Sequence, residues 1–384
     1  MGLRLVISGG GTGGHLFPGI AVADEMLRRY PGSEVLFIGT GREIDRRVLR
    51  DKPYRQAELT GSGLKGISWR GRLLSLGRLP LGFYQAWKLL RRFSPQLVLG
   101  VGGYVTGPVL LAARCMGITT CIHEQNSVPG LANRLLGRFV DHIFLSLPDE
   151  GSYFPARRTH LVGNPLRREL VAAAGDHGAP SKAVSSPARQ GRDLKSLPDH
   201  PAGLPNILVL GGSQGAHRLN MLMARAAALL AARGVRFTLL HQSGRADAPT
   251  LQEEYERGGI AARVEAFVED MAGAYQRSHL VVSRAGATTL AELALFGKPA
   301  LLVPYPYAAD DHQRRNAEIM VAAGAARMLM ERELSGELLA AEIEKLLADE
   351  TGRELMEKKG TELARPEAAA EILQISLADR LPKV

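Results

Sequence analysis

Short runs rich in Val, Ile and Leu recur along the chain, separated by segments whose apolar residues follow helical spacing. In the first half these runs predict strands at Arg4–Ser8, Glu34–Ile38, Gln96–Val101, Thr119–Ile122 and His142–Ser146. In the second half they predict strands at Asn206–Leu210, Arg236–His241, Arg263–Phe267, Leu280–Ser283 and Ala300–Val303. Helical spacing marks Pro18–Arg29, Ala216–Ala232, Thr288–Phe296 and Asp311–Ala323. Strand and helix alternate, which is the signature of βαβ units and of parallel sheets covered on both faces. Each series opens on a similar turn. "LVISGGGTGGH" (Leu5–His15) and "ILVLGGSQGAH" (Ile207–His217) both run from an apolar strand through clustered glycines to a histidine. The expected fold is therefore α/β, with two doubly wound domains facing each other across a cleft.

At 384 residues the chain exceeds what one hydrophobic core serves, so two domains are the default. Between the two series, Gly175–Pro205 is rich in Gly, Pro, Ser and charge and carries no periodic apolar face. It reads as a flexible surface insertion. The expected domains are 1–165, joined by a returning C-terminal helix within 366–384, and 166–365, with the insertion 175–205 near the junction.

Charge divides the chain more sharply than composition does. Residues 1–170 hold 23 Lys and Arg against 12 Asp and Glu, and the remainder holds 25 against 27. The overall charge of +9 thus belongs to the first half. From Leu59 to His123 there is no acidic residue, so something anionic is expected to meet this half. No apolar run is long enough to span a bilayer, and no signal-peptide layout opens the chain, so a cytosolic protein is expected. The two cysteines, Cys115 and Cys121, lack metal-ligand spacing and read as reduced thiols.

The first turn contains Gly9-x-Gly11-x-x-Gly14, a spacing used by dinucleotide-binding enzymes. Such enzymes place an acidic residue at the end of the second strand, where it bonds ribose hydroxyls. Here Gly39 stands at that position and Glu43 comes four residues late, so a nicotinamide or flavin cofactor is not expected. What remains is general physics: backbone N–H groups at a helix start offer positive potential to an anion. A third glycine cluster, "LGVGGYVTGP" (Gly100–Pro108), also follows a strand. In "SRAGATTLAEL" (Ser283–Leu293), Thr288 and Thr289 are candidate helix caps, and Glu292 is suited to accept two ribose hydroxyls. A glutamate placed there only for the helix dipole is the equal alternative on local grounds. "YPYAADDHQRRNAE" (Tyr305–Glu318) gathers Asp, His, Gln and Asn, side chains suited to sugar hydroxyls.

Taken in order, "GGGTGGHLFPGIAVA", "GVGGYVTGPVLLAA", "HEQNSVPGLANR", "VGNPLR", "GGSQGAHRLN", "FVEDM", "SRAGATTLAEL" and "DDHQRRNA" resemble the MurG family nearly end to end. The resemblance implies the GT-B arrangement of two Rossmann-like domains. It also implies an inverting hexosyltransferase that moves N-acetylglucosamine from UDP-N-acetylglucosamine to lipid I, giving lipid II in peptidoglycan synthesis. Carried over by motif, Thr12, Gly13 and Gly14 face sugar-diphosphate and acceptor. Asn126, Arg167 and Ser213 bind the donor around its sugar and diphosphate. Val268 meets uracil through its backbone. The run Ala287, Thr288, Thr289, Leu290, Ala291 and Glu292 holds diphosphate and ribose, and Gln313 bonds the sugar. No Asp-x-Asp occurs, so no metal and no cofactor are expected. His15 is the candidate general base, with orientation of acceptor or diphosphate as its alternative; Glu124 is the second candidate, unless it orders the Asn126 loop.

The acid-free stretch Leu64–Arg92 carries Trp69 and Trp87 with seven basic residues, the composition of an interfacial membrane surface. The expected partners are the donor, lipid I, an anionic inner-membrane surface, and cell-wall and division proteins, at the cytoplasmic face of the inner membrane. Nucleic acid is not expected, because no recognised nucleic-acid motif accompanies the charge. Competing classes are a UDP-N-acetylglucosamine 2-epimerase or diacylglycerol glycosyltransferase of the same fold, and a non-enzymatic membrane-associated nucleotide-binding protein.

Overall fold

The structure is a computed structural model that describes residues 2–11, 13–59, 79–175, 203–211 and 216–378. The chain divides into two units, Met1–Arg168 with Arg365–Val384, and Glu169–Ala364. Thr12, Ser213, Trp69 and nearly all of the predicted insertion lie outside the described residues.

The first unit is built on a seven-stranded sheet, with strands β1 (Arg4–Gly9), β2 (Glu34–Gly39), β3 (Arg55–Glu58), β4 (Leu97–Gly102), β5 (Thr119–Glu124), β6 (His142–Leu145) and β7 (Thr159–Leu161). Their spatial order is β3-β2-β1-β4-β5-β6-β7, and every described pairing is parallel. β1 and β4 are buried throughout or nearly so, which explains their unbroken apolar runs. Helix Gly13–Arg29 and the last described helix, Ala368–Leu377, cover one face. Leu16, Ile20 and Met26 join Ile372, Leu373 and Leu377 in one core with Leu5, Ile7 and Phe37. The opposite face is covered by helices Leu79–Phe93 and Thr106–Cys115, through Ala86, Leu90, Val109 and Leu110.

The first helix begins at Gly13, five residues ahead of the expected Pro18. Two glycines read as loop in a sequence, yet here they form the first helical turn. Pro18 sits in the second turn, where it removes one ladder bond without ending the helix. The consequence is functional: His15 stands in a first turn and not in a loop.

The second unit repeats the plan with six parallel strands: β8 (Asn206–Leu210), β9 (Thr238–Gln242), β10 (Ala262–Glu265), β11 (Leu280–Ser283), β12 (Ala300–Leu302) and β13 (Ala326–Met328). Their order is β10-β9-β8-β11-β12-β13. Helices His217–Ala232 and Gly336–Ala348 pack on one face through Leu219, Met223, Leu339 and Ile343. The other face holds Tyr275, Leu290, Leu293 and Met320. In both sheets the order reverses beside the first strand, between β1 and β4 and between β8 and β11. In open α/β sheets ligands gather beyond the strand ends at such a reversal.

Candidate active site

In the first unit the reversal brings the turn after β1 against the turn after β4. Gly102 (φ +110°) is required there: a Cβ on it would lie 2.9 Å from Cδ2 and Nε2 of His15. The imidazole therefore rests on bare backbone, with Nδ1 3.5 Å from the Gly10 carbonyl oxygen. Beneath the turn lies a residue that sequence reasoning missed. Asp45 is buried, and its carboxylate accepts the Gly11 N–H (2.8 Å), the Thr40 N–H (3.2 Å) and the Thr40 hydroxyl (2.5 Å). It approaches so closely that a Cβ on Gly10 would meet Oδ2 at 2.8 Å. Arg42 flanks the turn, its Nη1 3.5 Å from Gly11 O. Burial pushes the Tyr104 phenol upward, against the pull of the Arg42 cation and with that of the Asp45 anion.

The "HEQN" motif follows β5. Glu124 is buried and fully engaged: Oε1 accepts the Asn126 N–H (3.1 Å) and Nδ2 (3.4 Å), and Oε2 accepts the Gly130 N–H (3.2 Å) and Asn133 Nδ2 (2.8 Å). This carboxylate organises the loop that presents Asn126. Below it, Gln125 Nε2 donates to Val101 O (3.0 Å) and lies 3.1 Å from Nδ1 of the buried His123, whose Nε2 faces Gly163 O at 3.1 Å. Burial pushes His123 down to about 4. Arg167 falls with the first unit, its guanidinium 5.1 Å from the centre of the Phe17 ring. Gly13 and Gly14 lie in the turn that carries His15.

In the second unit, helix Ala287–Leu295 starts at Gly286 with no side-chain cap. Thr288 and Thr289, expected as caps, are inside the first turn, because Gly286, two residues before Thr288, takes the extended cap conformation. Leu290 is a core residue at 2% exposure, so only its backbone can serve a ligand. Ala291 is half-buried beside it. Glu292 is 8% exposed, and one of its oxygens accepts the Tyr275 hydroxyl at 2.9 Å. Tyr275 is in turn stacked on Phe296, with ring centres 5.1 Å apart. The carboxylate is thus a fixed acceptor in the second turn of the helix.

Two further placements refine the expectations. The Val268 N–H donates to Gln242 Oε1 (3.1 Å), so the carbonyl is the backbone group that this residue offers a base. Gln313 Oε1 accepts the Tyr305 N–H (3.0 Å), which fixes the amide and directs its chemistry to Nε2. Arg284 holds the same loop: it donates to Val303 O (3.0 Å) and Pro304 O (3.3 Å), lies 5.5 Å from the Tyr305 ring centre and pairs with the buried Glu331. Asp310 and Asp311 both adopt left-handed backbone (φ +52° and +53°), and Asp311 pairs with Arg314. Among the described residues no group of three or more His, Cys, Asp or Glu is placed to hold a metal ion.

Both halves match glycosyltransferase models: the glycosyltransferase family 28 N-terminal domain over residues 5–145, and its C-terminal domain over 206–372. The class defined is a two-domain glycosyltransferase. A UDP-N-acetylglucosamine–N-acetylmuramyl-(pentapeptide) pyrophosphoryl-undecaprenol N-acetylglucosamine transferase of Citrifermentans bemidjiense is 45% identical over 97% of this chain and 98% of its own. The crystal structure of Acinetobacter baumannii MurG is 28% identical, with a TM-score of 0.74 over 98% of this chain and 99% of its own. The chain belongs to the MurG family. A Neisseria meningitidis UDP-GlcNAc 2-epimerase shares the fold at 14% identity, with a TM-score of 0.67 over 98% of this chain and all of its own.

Proposed function

We propose that this protein is an inverting hexosyltransferase moving N-acetylglucosamine from UDP-N-acetylglucosamine to the muramoyl 4-hydroxyl of undecaprenyl-diphosphate-linked muramoyl-pentapeptide. The observation that carries this reading is the 45% identity over 97% of the chain to a transferase named for that reaction. The second unit takes the donor. Glu292 accepts the ribose hydroxyls, and the Val268 carbonyl accepts the uracil N3–H. Gln313 Nε2 reads the sugar, together with Asn126. The backbone N–H groups at the start of helix Ala287–Leu295, Ser213 of the second glycine turn and Arg167 neutralise the diphosphate as it departs. This stabilisation needs no metal or cofactor, in keeping with a sequence that lacks Asp-x-Asp.

The first unit supplies the proton chemistry. Thr12, Gly13 and Gly14 approach the acceptor, and His15 Nε2 takes the proton from its hydroxyl as the oxygen bonds to C1 of the sugar. The C1–O bond to the diphosphate breaks on the opposite side, and UDP leaves. For Glu124 we favour the ordering of the Asn126 loop, since its carboxylate accepts hydrogen bonds from Asn126, Gly130 and Asn133.

The lipid anchor of the acceptor requires a membrane face. Helix Leu79–Phe93 buries Ala86, Leu90 and Phe93, and it leans Phe83 and Trp87 on the core. Its other side exposes Leu81, Tyr84 (65%), Lys88, Arg91 and Arg92, apolar and basic groups on one stripe. We assign that stripe, with the basic residues of 64–78, to the anionic cytoplasmic face of the inner membrane, where cell-wall and division proteins are the expected neighbours. No helix of the described residues is long and apolar enough to cross a membrane, so the attachment proposed is peripheral.

The test is incubation of radiolabelled UDP-N-acetylglucosamine with and without a lipid I analogue. Acceptor-dependent transfer of label is expected. Conversion of the nucleotide sugar without acceptor indicates an epimerase and overturns the proposal.

A further inference from the structure

The carboxylate beneath the first glycine turn is engaged with one particular peptide group. Asp45 accepts the N–H of Gly11 at 2.8 Å. The carbonyl of that same peptide unit belongs to Gly10, and it faces His15 Nδ1 at 3.5 Å. A carbonyl can only accept, so a bond there places the imidazole proton on Nδ1 and makes Nε2 the basic nitrogen. Nε2 lies on the other side of the ring, over Gly102, whose lack of a side chain makes room for it.

We propose that Asp45 is a positioning residue that acts on His15 through the Gly10–Gly11 peptide. The proposal rests on the reading of His15 as the base. Three donors on its two oxygens fix the Asp45 carboxylate beneath the turn. Its charge polarises the amide, makes the Gly10 oxygen a stronger acceptor, and favours the imidazolium that forms when His15 takes a proton. No proton crosses the amide. The arrangement does the work of a carboxylate bonded directly to a catalytic histidine, with one peptide group interposed. The 3.5 Å separation is at the long end of the hydrogen-bond range, and the bond strengthens as the ring gains positive charge.

Other charged and ionisable groups around the turn bear on the same imidazole. Arg42 beside Gly11 O opposes the imidazolium, though it is exposed and screened by water. Arg167 stacks on Phe17 of the same helix, and Tyr104 follows the Gly102–Gly103 turn. Asp45 is the anion bonded to the turn itself.

Three proteins test this: the parent, Asp45→Asn and His15→Ala, each assayed for kcat, KM for UDP-N-acetylglucosamine and the pH profile of turnover. Loss of the Asp45 charge disfavours the imidazolium, so the acidic limb of Asp45→Asn moves to lower pH, by about one unit. Its plateau kcat falls about tenfold as the base weakens, with KM unchanged. If His15→Ala loses turnover while Asp45→Asn keeps the parent's limb, the relay is overturned and the base assignment stands. If His15→Ala retains turnover, the base assignment itself fails and the relay falls with it. Should Asp45→Asn not fold, histidine-selective 15N NMR of the parent decides, with the His15 signal identified by its loss in His15→Gln. A neutral ring protonated on Nδ1 supports the relay; protonation on Nε2 overturns it.

Discussion

The two units share one plan up to the point where ligands bind, and there they diverge. Each opens with a strand, a glycine turn and a helix, and each reverses strand order beside that strand. In the first unit a carboxylate sits beneath the turn: Asp45 occupies the Gly11 N–H that would otherwise greet an anion. In the second, helix Ala287–Leu295 begins without a side-chain cap, and Glu292, further along that helix, accepts the hydroxyl of Tyr275 from the neighbouring helix Met271–Arg277. A buried anion under a turn repels phosphate and supports an imidazolium. An uncapped helix start attracts phosphate. On the proposed reading, the same topology serves proton transfer in the first unit and nucleotide binding in the second.

Removing His15 tests this division most severely. His15→Ala is expected to lower turnover by about 10²–10⁴, the usual cost of losing a general base, while UDP affinity measured by calorimetry stays at the parent value. Unchanged turnover with a raised acceptor KM would reduce His15 to a positioning group.

The membrane face is next in size. Replacing Lys88, Arg91 and Arg92 by Glu should weaken binding to vesicles of anionic lipid about a hundredfold, since each cation near such a surface contributes ~1 kcal/mol. Sedimentation with vesicles at low and physiological salt measures it, and UDP affinity should not move. Parental binding would make the stripe ordinary surface.

Glu292→Ala should weaken UDP binding about 10- to 150-fold, corresponding to roughly 1.5–3 kcal/mol for a hydrogen bond to a charged group. Calorimetric titration with UDP gives the answer, and an unchanged affinity removes Glu292 from the ribose. Tyr275→Phe, which deletes only the hydroxyl that donates to Glu292, should cost about 2- to 12-fold in the same titration, from a net bond of ~0.5–1.5 kcal/mol.

Much of the fold was legible because buried parallel strands leave unbroken apolar runs. β1 and β8 were found at once, each followed by its glycine turn. The strands left unread were β3, β7 and β13, three or four residues each at or near a sheet edge. β3 (Arg55–Glu58) is largely exposed, so it carries no apolar pattern to read. The site was legible where backbone dictates residue type, as in the glycine turns. It was illegible where two segments meet only in space. Nothing in "GREID" announces that Asp45 returns to Gly11, thirty-four residues earlier. A second such network joins exposed His217 (76%) to Asp247 (2.9 Å), then Asn220 (2.7 Å), buried His241 (3.1 Å) and Tyr255 (2.8 Å). Its residues span three segments that share no motif.

The buried histidines give a pH signature spread over both units. Burial pushes His123 down to about 4 and His241 to about 3, against an ordinary value near 6.5. Each folds neutral, so its contribution is complete above pH 6.5 and is lost as pH falls from there towards the folded value. Urea midpoints should therefore drop steeply between pH 6.5 and 4. A flat profile over that range would show that neither histidine is desolvated.

The central claim is a single displacement assisted by one base, His15, against a donor held in the second unit. The most direct measurement is the anomeric configuration, by NMR coupling constants, of the disaccharide formed from UDP-N-acetylglucosamine and a lipid-linked muramoyl-pentapeptide. One displacement on the α-linked donor gives a β-linked product, formed only when acceptor is present. An α-linked product would require a second displacement and a covalent intermediate, and it would contradict the account.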